Sequence, residues 1–357
     1  MAELLAKAFL FVALIACLTI YGCGQKASWE ELMEQTGILF QEGNYSEAEK
    51  VAQKALKVAE KTFGTDHPNV AISLSSVAYL YRIQDKFDQA EPLYQRALAI
   101  NEQSFGKDHL QVAQSLDNLG GLYYRQGNYA QADPLFRRSL EILEEAFGPD
   151  HPNIIPVLTN LASFYHAQAN YAEAEFFSQR ALTLNEKVHG PDHPEVALSL
   201  GFLAGIQTSQ RNFDQAEKLY KRALKIDQKA YGENHLLVAK DLNNLAALYR
   251  AQEKYDQAES LFKQALAMSE KVLGPDHPDV TAPLSNLLEL YQAQGRFVEA
   301  ASLYQRALDI HEKNLGPDHP QVAIVLESMA DLYRSMGKED QAAECAQRAR
   351  EIHLKNL

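Results

Sequence analysis

The sequence predicts an all-α protein built from about eight antiparallel helix pairs that stack along the chain. Histidines recur every 42 residues without drift. Within each 42-residue unit, apolar side chains recur at helical spacing on either side of a tight turn. Because a single helix pair cannot bury its own apolar face, neighbouring units must supply the core. The periodic histidines are His67, His109, His151, His193, His235, His277 and His319.

The unit that begins at His109 shows how each element is recognised. Its first helix is predicted by apolar residues spaced by four, three and four positions, and Gly127-Asn128 breaks the pattern before a second helix. Asn128, like Asn44 and Asn170, is expected to cap the helix that follows by accepting a backbone N–H. The first helix carries Val112, Leu116, Leu119 and Tyr123, and the second carries Ala132, Leu135, Phe136, Leu140 and Leu143. Units are predicted to start near residues 25, 67, 109, 151, 193, 235, 277 and 319.

Four of the connections between units contain the pentapeptide Gly-Pro-Asp-His-Pro, which begins at Gly148, Gly190, Gly274 and Gly316. Its glycine is expected to end the second helix in a left-handed conformation, and its aspartate to cap the next helix. The second proline suits the first helical turn, and the histidine is expected to form a hydrogen bond between neighbouring units.

A catalytic or metal-binding role for this repeated Asp-His pair is not favoured. Equivalent histidines of adjacent helices should lie roughly 10 Å apart, whereas zinc requires its nitrogen ligands within about 2.1 Å of one centre. The pair also recurs in the connections between units, and the sequence has no G-x-S-x-G, H-E-x-x-H or phosphate-binding glycine loop. We therefore expect no enzyme activity, no cofactor and no metal.

The repeated pattern resembles the tetratricopeptide repeat. The residues that carry this resemblance are Leu119-Gly120-x-x-Tyr123, Ala132-x-x-x-Phe136 and Ser139-Leu140. The 42-residue length and the stretch NYAQADPLFRRSLEILEEAFGPDHP resemble the kinesin-light-chain variety of this repeat. The resemblance covers residues 25–357, and it implies a right-handed superhelical solenoid whose concave groove binds a protein or peptide.

Composition excludes several other classes of function. The chain has 357 residues, of which 46% are hydrophobic, and 47 acidic against 34 basic residues give a net charge of -13. This charge repels nucleic-acid phosphates, so nucleic acid is not an expected partner. Three cysteines, two of them within the first 23 residues, are too few for a disulfide framework.

The first 22 residues resemble a bacterial lipoprotein signal peptide, because an apolar run over residues 8–22 is followed by Cys23. Cys23 is the expected lipidation site and Cys17 the alternative, with residues 23–28 as a short tether and 29–357 as the solenoid. The expected location is the bacterial cell envelope, lipid-anchored. Gly24, by resemblance to sorted lipoproteins, favours the periplasmic face of the outer membrane. Secretion and an inner-membrane anchor are the alternatives.

The predicted function is a non-catalytic scaffold that binds a partner protein or extended peptide. The alternative is an envelope sensing or regulatory module that binds a short peptide or glycan and acts on a partner enzyme. In the repeat family, the first helix of each unit lines the groove. Projection of that pattern onto this chain, together with the neighbouring Arg125, gives the candidate residues Tyr79, Arg82, Asp117, Tyr124, Arg125, His166, Gly205, Asn243, Arg250 and Glu289.

Two details refine this prediction. Some tetratricopeptide domains grip a C-terminal carboxylate with lysine and asparagine, but the corresponding pairs here are Ser75/Tyr79, Asp117/Gly121 and Thr159/Ser163, so this clamp is absent. The unit that begins at His193 carries Gly201 and Gly205 on the groove side. Either the bare backbone admits a partner closely there, or this unit is a soft point of the solenoid.

Overall fold

The computed structural model describes residues 27–356, which form sixteen α-helices and two short 3-10 helices, with no β-strand in that range. The helices are α1 Trp29–Gln41, α2 Tyr45–Phe63, α3 Pro68–Ile83, α4 Phe87–Phe105, α5 Leu110–Arg125, α6 Tyr129–Phe147, α7 Ile155–Ala167, α8 Tyr171–His189, α9 Pro194–Ser209, α10 Phe213–Tyr231, α11 Leu236–Ala251, α12 Tyr255–Leu273, α13 Thr281–Ala293, α14 Phe297–Leu315, α15 Pro320–Ser335 and α16 Glu339–Lys355. The 3-10 helices, Pro152–Ile154 and Pro278–Val280, precede α7 and α13.

These helices follow one another as eight pairs, which confirms the predicted all-α fold of helix pairs. The chain divides into two compact units, an N-terminal unit Met1–Leu184 and a C-terminal unit Asn185–Leu357, with the boundary inside α8. No helix among the described residues is long and apolar enough to cross a membrane. The expected signal peptide, Cys17 and Cys23 lie outside the described residues.

The core is built from residues that repeat with the 42-residue period. One leucine column in the first helices and one alanine column in the second helices are buried in every pair. The small alanines allow the backbones of packed helices to approach closely, and each buried leucine contributes roughly 1.5–3 kcal/mol. The columns are Leu32, Leu74, Leu116, Leu158, Leu200, Leu242, Leu284 and Leu326, and Ala48, Ala90, Ala132, Ala174, Ala216, Ala258, Ala300 and Ala342.

The periodic histidine caps the N-terminus of the helix that follows each connection, and the prediction that aspartate is the cap is wrong. In all seven connections, the Nδ1 atom of the periodic histidine accepts the backbone N–H two residues further on, at 3.1–3.3 Å. The histidine occupies the N-cap position itself, with an extended backbone that directs its ring at the first turn. The hydrogen bond is therefore local, whereas we expected one between units.

The remaining residues of the connection explain why the histidine ring is well placed. In the first five connections it stacks on the ring four residues earlier, at the end of the preceding helix, as His109 does on Phe105 with ring centroids 4.7 Å apart. The glycine between them has a positive φ, as at Gly106 (φ 87, ψ 162), but its extended ψ is not the left-handed helical value that we expected. Only glycine adopts this conformation readily. The expected cap by Asn44 is present, whereas the Asn128 side chain makes no cap hydrogen bond.

Replacing a capping histidine should cost helix stability. We expect His109→Ala to lower the free energy of unfolding by about 1 kcal/mol, because a backbone N–H loses its acceptor. His109→Asn keeps an acceptor at the same position and should recover most of this loss. Chemical denaturation followed by circular dichroism measures both, and an alanine variant as stable as the wild type would contradict the capping role.

A ladder of ion pairs joins successive second helices, and the sequence reasoning did not anticipate it. In six steps an arginine reaches a glutamate 36 residues earlier, as in Arg96–Glu60 at 2.6 Å, Arg138–Glu102 at 2.8 Å and Arg222–Glu186 at 2.7 Å. At one step both partners are replaced, by Gln228 and Gln264. Within the C-terminal unit, the junction between the pairs α9/α10 and α11/α12 therefore lacks this ion pair. The other ladder pairs are Arg180–Glu144, Arg306–Glu270 and Arg348–Glu312.

Candidate ligand-binding surface

The candidate residues lie on what we call the first-helix surface, the partly exposed face of the first helices of neighbouring pairs. In the N-terminal unit this surface comprises α3, α5 and α7, and in the C-terminal unit it comprises α9, α11 and α13. Packing columns repeat on these helices, but the surface positions differ from one pair to the next. Eight candidates are partly buried, namely Tyr79, Arg82, Asp117, Tyr124, His166, Gly205, Asn243 and Arg250, and Arg125 and Glu289 are exposed.

In the N-terminal unit, Arg82 is held between two tyrosines. Its guanidinium lies over the Tyr79 ring, 4.9 Å from the centroid, which is a cation–π contact. Tyr94 of α4 is only 1% exposed, and its hydroxyl has no hydrogen-bond partner among residues 27–356. Burial raises the pKa of this hydroxyl, and the nearby Arg82 charge opposes that rise. The Arg82 Nε–H is also buried without a partner there.

A carboxylate from the next first helix balances the charge of Arg82. Asp117 lies on α5, and burial raises the pKa of its carboxyl, while the Asn160 amide and the Arg82 charge lower it. Asn160 Nδ2, on α7, lies 2.9 and 3.0 Å from the two carboxylate oxygens. A carboxylate offers about four acceptor positions, so this hydrogen bonding leaves capacity for a further donor.

Gly121 lets the Arg82 guanidinium approach the backbone of α5 closely. A Cβ atom built on Gly121 would lie 3.3 Å from Arg82 Nη1 and would meet no other heavy atom within 4 Å. Gly120, its neighbour in α5, is different, because a Cβ there would lie 3.0 Å from the buried Phe136 ring. Close packing thus explains both glycines, against the Phe136 ring at Gly120 and against the Arg82 guanidinium at Gly121.

Aromatic residues flank this cluster. Tyr124 lies 6.0 Å from the buried Phe164 and 6.2 Å from Tyr129, measured between ring centroids, and burial raises its pKa. His166 lies 5.8 Å from Tyr171, and burial lowers the pKa of its imidazole. Aromatic contacts therefore hold the Tyr124 and His166 side chains in position at the surface.

In the C-terminal unit, the structure pairs two candidates with each other. Arg250 Nη1 of α11 forms an ion pair with Glu289 of α13. The Oδ1 atom of Asn243 is buried and has no partner within the described range. A Cβ on Gly205 would lie 3.6 Å from the Tyr220 hydroxyl, an ordinary van der Waals distance. This helix position therefore has room for a side chain.

Arg125 forms an exposed ion pair with Asp85 at 2.9 Å. The sequence analysis did not single out Tyr94. Tyr94 is equivalent to Phe136 of the next repeat, which is a packing residue. In the sequence, only its hydroxyl distinguishes Tyr94 from such a residue. The described residues contain no group of three His, Cys, Asp or Glu side chains arranged to hold a metal ion.

The helix pairs and their first-helix surface define a repeat protein of the tetratricopeptide class. The tetratricopeptide-repeat family model matches seven overlapping segments, 37–103, 73–145, 112–187, 153–229, 202–271, 241–313 and 279–355. The chain therefore belongs to the tetratricopeptide-repeat family, whose members are typically protein-interaction modules. No curated protein matches the sequence.

Solved structures of the same fold include repeat proteins of the kinesin-light-chain type. A putative kinesin light chain of Podosopora anserina shares 22% identity with a TM-score of 0.53, covering 58% of this chain and 98% of its own. The quorum sensor NprR of B. thuringiensis shares 14% identity with a TM-score of 0.61, covering 91% of this chain and 87% of its own. A Rap protein complexed with competence and sporulation factor shares 16% identity with a TM-score of 0.53, covering 91% and 97%.

Proposed function

We propose that this protein is a non-catalytic scaffold that binds a partner protein or an extended peptide on its first-helix surface. The observation that carries the proposal is two buried polar atoms of first helices that have no partner among the described residues, Arg82 Nε and Asn243 Oδ1. Leaving a buried donor or acceptor unsatisfied costs about 1–3 kcal/mol, so a ligand that supplies the missing hydrogen bonds gains affinity.

The side chains around these atoms suit an extended polypeptide. Tyrosine and arginine are among the residue types that contribute most to protein interfaces. Tyr79 and Arg82 contact each other on α3, and Tyr124 lies on α5. One similar structure is a complex with competence and sporulation factor, and another is named a quorum sensor. These two neighbours favour the second candidate function, a sensing module that recognises a short peptide or glycan and acts on a partner enzyme.

Selection from a phage-displayed library of linear peptides, with the full chain as bait, tests the proposal. We expect enriched peptides that lose at least about tenfold in affinity when Arg82, Tyr124 and Arg250 are all changed to alanine. A control triple alanine variant of Lys61, Lys218 and Lys225, which are exposed on second helices, should bind as the wild type does. Failure to enrich any peptide, or equal binding by both triple variants, contradicts peptide binding at this surface. Binding of soluble glycan strands instead would favour the sensing module.

We also propose that the chain is a lipid-anchored protein of the bacterial envelope, with Cys23 as the modified residue. The apolar run over residues 8–22 and the small Gly22 before Cys23 support this assignment. Radiolabelled palmitate should be incorporated in a bacterial host, and Cys23→Ala should abolish incorporation while Cys17→Ala does not. The opposite pattern assigns the lipid to Cys17, and labelling that survives both changes contradicts the anchor. Recovery of the protein in the outer-membrane fraction would support the favoured location.

A further inference from the structure

We infer that the ligand segment bound by the N-terminal unit contains prolines in the polyproline II conformation, and that it lies on four side chains that we call the ring strip. The ring strip consists of Tyr45, Phe40, Tyr79 and Arg82. This inference rests on the proposed peptide-binding function and names the chemical class of peptide that fits one part of the surface.

The ring strip is continuous across the first two helix pairs. The Phe40 ring, near the end of α1, lies 5.4 Å from the Tyr45 ring at the start of α2 and 5.5 Å from the Tyr79 ring of α3, measured between centroids. The Arg82 guanidinium extends the strip, 4.9 Å from the Tyr79 centroid. Tyr45 is 43% exposed and the other three side chains are partly exposed, so the strip presents a row of flat groups to a ligand.

The fold does not require rings at these positions. The position of Phe40 holds Thr208 and Gln292 in the C-terminal unit, where the helix pairs form all the same. In every other pair the residue equivalent to Tyr79 is small or acidic. These residues are Gly37, Gly121, Ser163, Gly205, Ala247, Glu289 and Asp331. Helix packing therefore does not account for the ring strip, whereas contact with a ligand does.

The polar groups of the ring strip favour a ligand that only accepts hydrogen bonds. Arg82 is its one charged member, and a guanidinium has five N–H donors and no acceptor. Proline has no backbone N–H, so a proline-rich segment presents carbonyl oxygens, whose partial negative charge complements Arg82. A lysine or arginine of the ligand would be repelled by Arg82, and a carboxylate would meet the electronegative faces of the rings. Sugar hydroxyls donate as well as accept, and the strip offers them no carboxylate or amide acceptor.

The spacing of the ring strip also suits polyproline II. This conformation has three residues per turn and rises about 3.1 Å per residue, so prolines three positions apart lie on one face, about 9 Å from each other. Alternate members of the strip, such as Tyr45 and Tyr79, are separated by two ring contacts of 5.4 and 5.5 Å. Two prolines of one face thus reach two members at once, and their rigid backbone limits the entropy lost on binding.

The test uses the full chain with isotope-labelled tyrosine rings, and the probe is the peptide Ac-Pro-Ala-Ala-Pro-Ala-Ala-Pro-Ala-Ala-NH₂, titrated to millimolar concentration. Its isomer Ac-Pro-Ala-Pro-Ala-Ala-Ala-Ala-Pro-Ala-NH₂ has the same composition but directs its prolines to different faces. We expect saturable NMR shifts of the Tyr45 and Tyr79 ring signals, assigned by their absence from Tyr45→Phe and Tyr79→Phe. The isomer should bind roughly tenfold more weakly, equivalent to about 1.4 kcal/mol.

The matched variant is Tyr79→Ser, which introduces the residue that the chain itself has at the equivalent Ser163. Followed by the Tyr45 signal, this change should weaken binding of the proline peptide by at least about tenfold, while the circular dichroism spectrum stays that of the wild type. Ala247→Ser places serine at the equivalent position of the C-terminal unit and should leave the affinity unchanged.

The inference and the proposed function fail in different ways. Absent shifts, equal affinity for the two peptides, or binding that survives Tyr79→Ser overturns the proline site. Shifts caused by the glycan chitotetraose and not by the proline peptide would overturn it in favour of a sugar ligand. Library peptides that lack such prolines but require Tyr124 and Arg250 would overturn it and leave the scaffold function intact. A failed selection combined with saturable, Tyr79-dependent shifts would keep the proline site and contradict only the wider peptide-binding surface.

Discussion

Replacing Asp227 with asparagine and Asp241 with serine should stabilise the C-terminal unit at pH 8 by an amount on the order of 4 kcal/mol. The two aspartates face each other across the α10/α11 contact, where they are 5% and 6% exposed. Burial, followed by the charge of Asp227, raises the pKa of Asp241 from 3.8 to about 7. Each pKa unit corresponds to about 1.36 kcal/mol, which gives the expected magnitude.

Two equivalent positions elsewhere in the chain hold an uncharged asparagine–serine pair. Asn101 Nδ2 donates to Ser115 Oγ at 2.9 Å in the N-terminal unit, and Asn185 Nδ2 lies 2.8 Å from Ser199 Oγ in the C-terminal unit. The aspartate pair cannot match this arrangement when both carboxyls are ionised, because neither then has a proton to donate. One oxygen of each carboxyl also has no partner among the residues that the structure describes.

The sign of the pH dependence follows from the raised pKa. In the unfolded chain Asp241 ionises near pH 4, whereas in the folded chain it keeps its proton to about pH 7. Between these values the folded state binds more protons, so stability falls as pH rises and stays low above pH 7. Lys240 and His235 partly offset the negative charge, while Tyr220 of α10 also faces Asp241.

Hydrogen exchange of α10 and α11 amides, measured between pH 5 and pH 8 and corrected for intrinsic exchange, checks this prediction. Wild-type protection should decrease across the range, and protection in the double variant should not. The reciprocal change, Asn101→Asp with Ser115→Asp, should introduce a pH dependence into the N-terminal unit. If wild type and double variant respond to pH alike, the carboxyl pair is not its source.

The packing of this fold was predictable because it depends on periodic residues. The columns of Leu116 and Ala132 recur every 42 residues, and each member packs as the others do. The capping atom was harder to predict, because aspartate and histidine are adjacent and both can accept a hydrogen bond. The backbone conformation between Gly106 and Leu110 decides in favour of His109, and this conformation is not visible in the sequence pattern.

The contacts of the candidate site residues could not be predicted from the sequence. The pattern placed Arg82 and Asp117 on one surface, and the structure brings their charges close together. It did not predict that Arg250 and Glu289 form an ion pair, because this contact joins different repeats. Contacts between neighbouring first helices join residues that are 35 to 43 positions apart, and these spacings are informative only once the helices are placed side by side. The pairs are Arg82 and Asp117 (35 residues), Arg250 and Glu289 (39 residues), and Asp117 and Asn160 (43 residues).

Truncating Phe164 to alanine should have the other large effect, a loss of about 3–5 kcal/mol in the N-terminal unit. The ring is 1% exposed and lies 5.7 Å from Phe136 and 5.0 Å from Tyr165, measured between centroids. Its removal leaves a cavity that this aromatic cluster cannot readily fill, because interiors are close-packed. Equivalent positions hold leucine in most repeats, so Phe164→Leu should cost only about 1 kcal/mol.

The same change should also reach the proposed ligand-binding surface, because Tyr124 and Tyr129 pack against Phe164. Each repeat of a solenoid depends mainly on its neighbours, so destabilisation should be local. Hydrogen exchange should show lost protection in α5, α6 and α7 and retained protection in α11 and α12. Loss of protection in all helices alike would mean that the chain unfolds as one cooperative unit. Phe164 would then stabilise the whole chain, and not only the aromatic cluster that positions Tyr124.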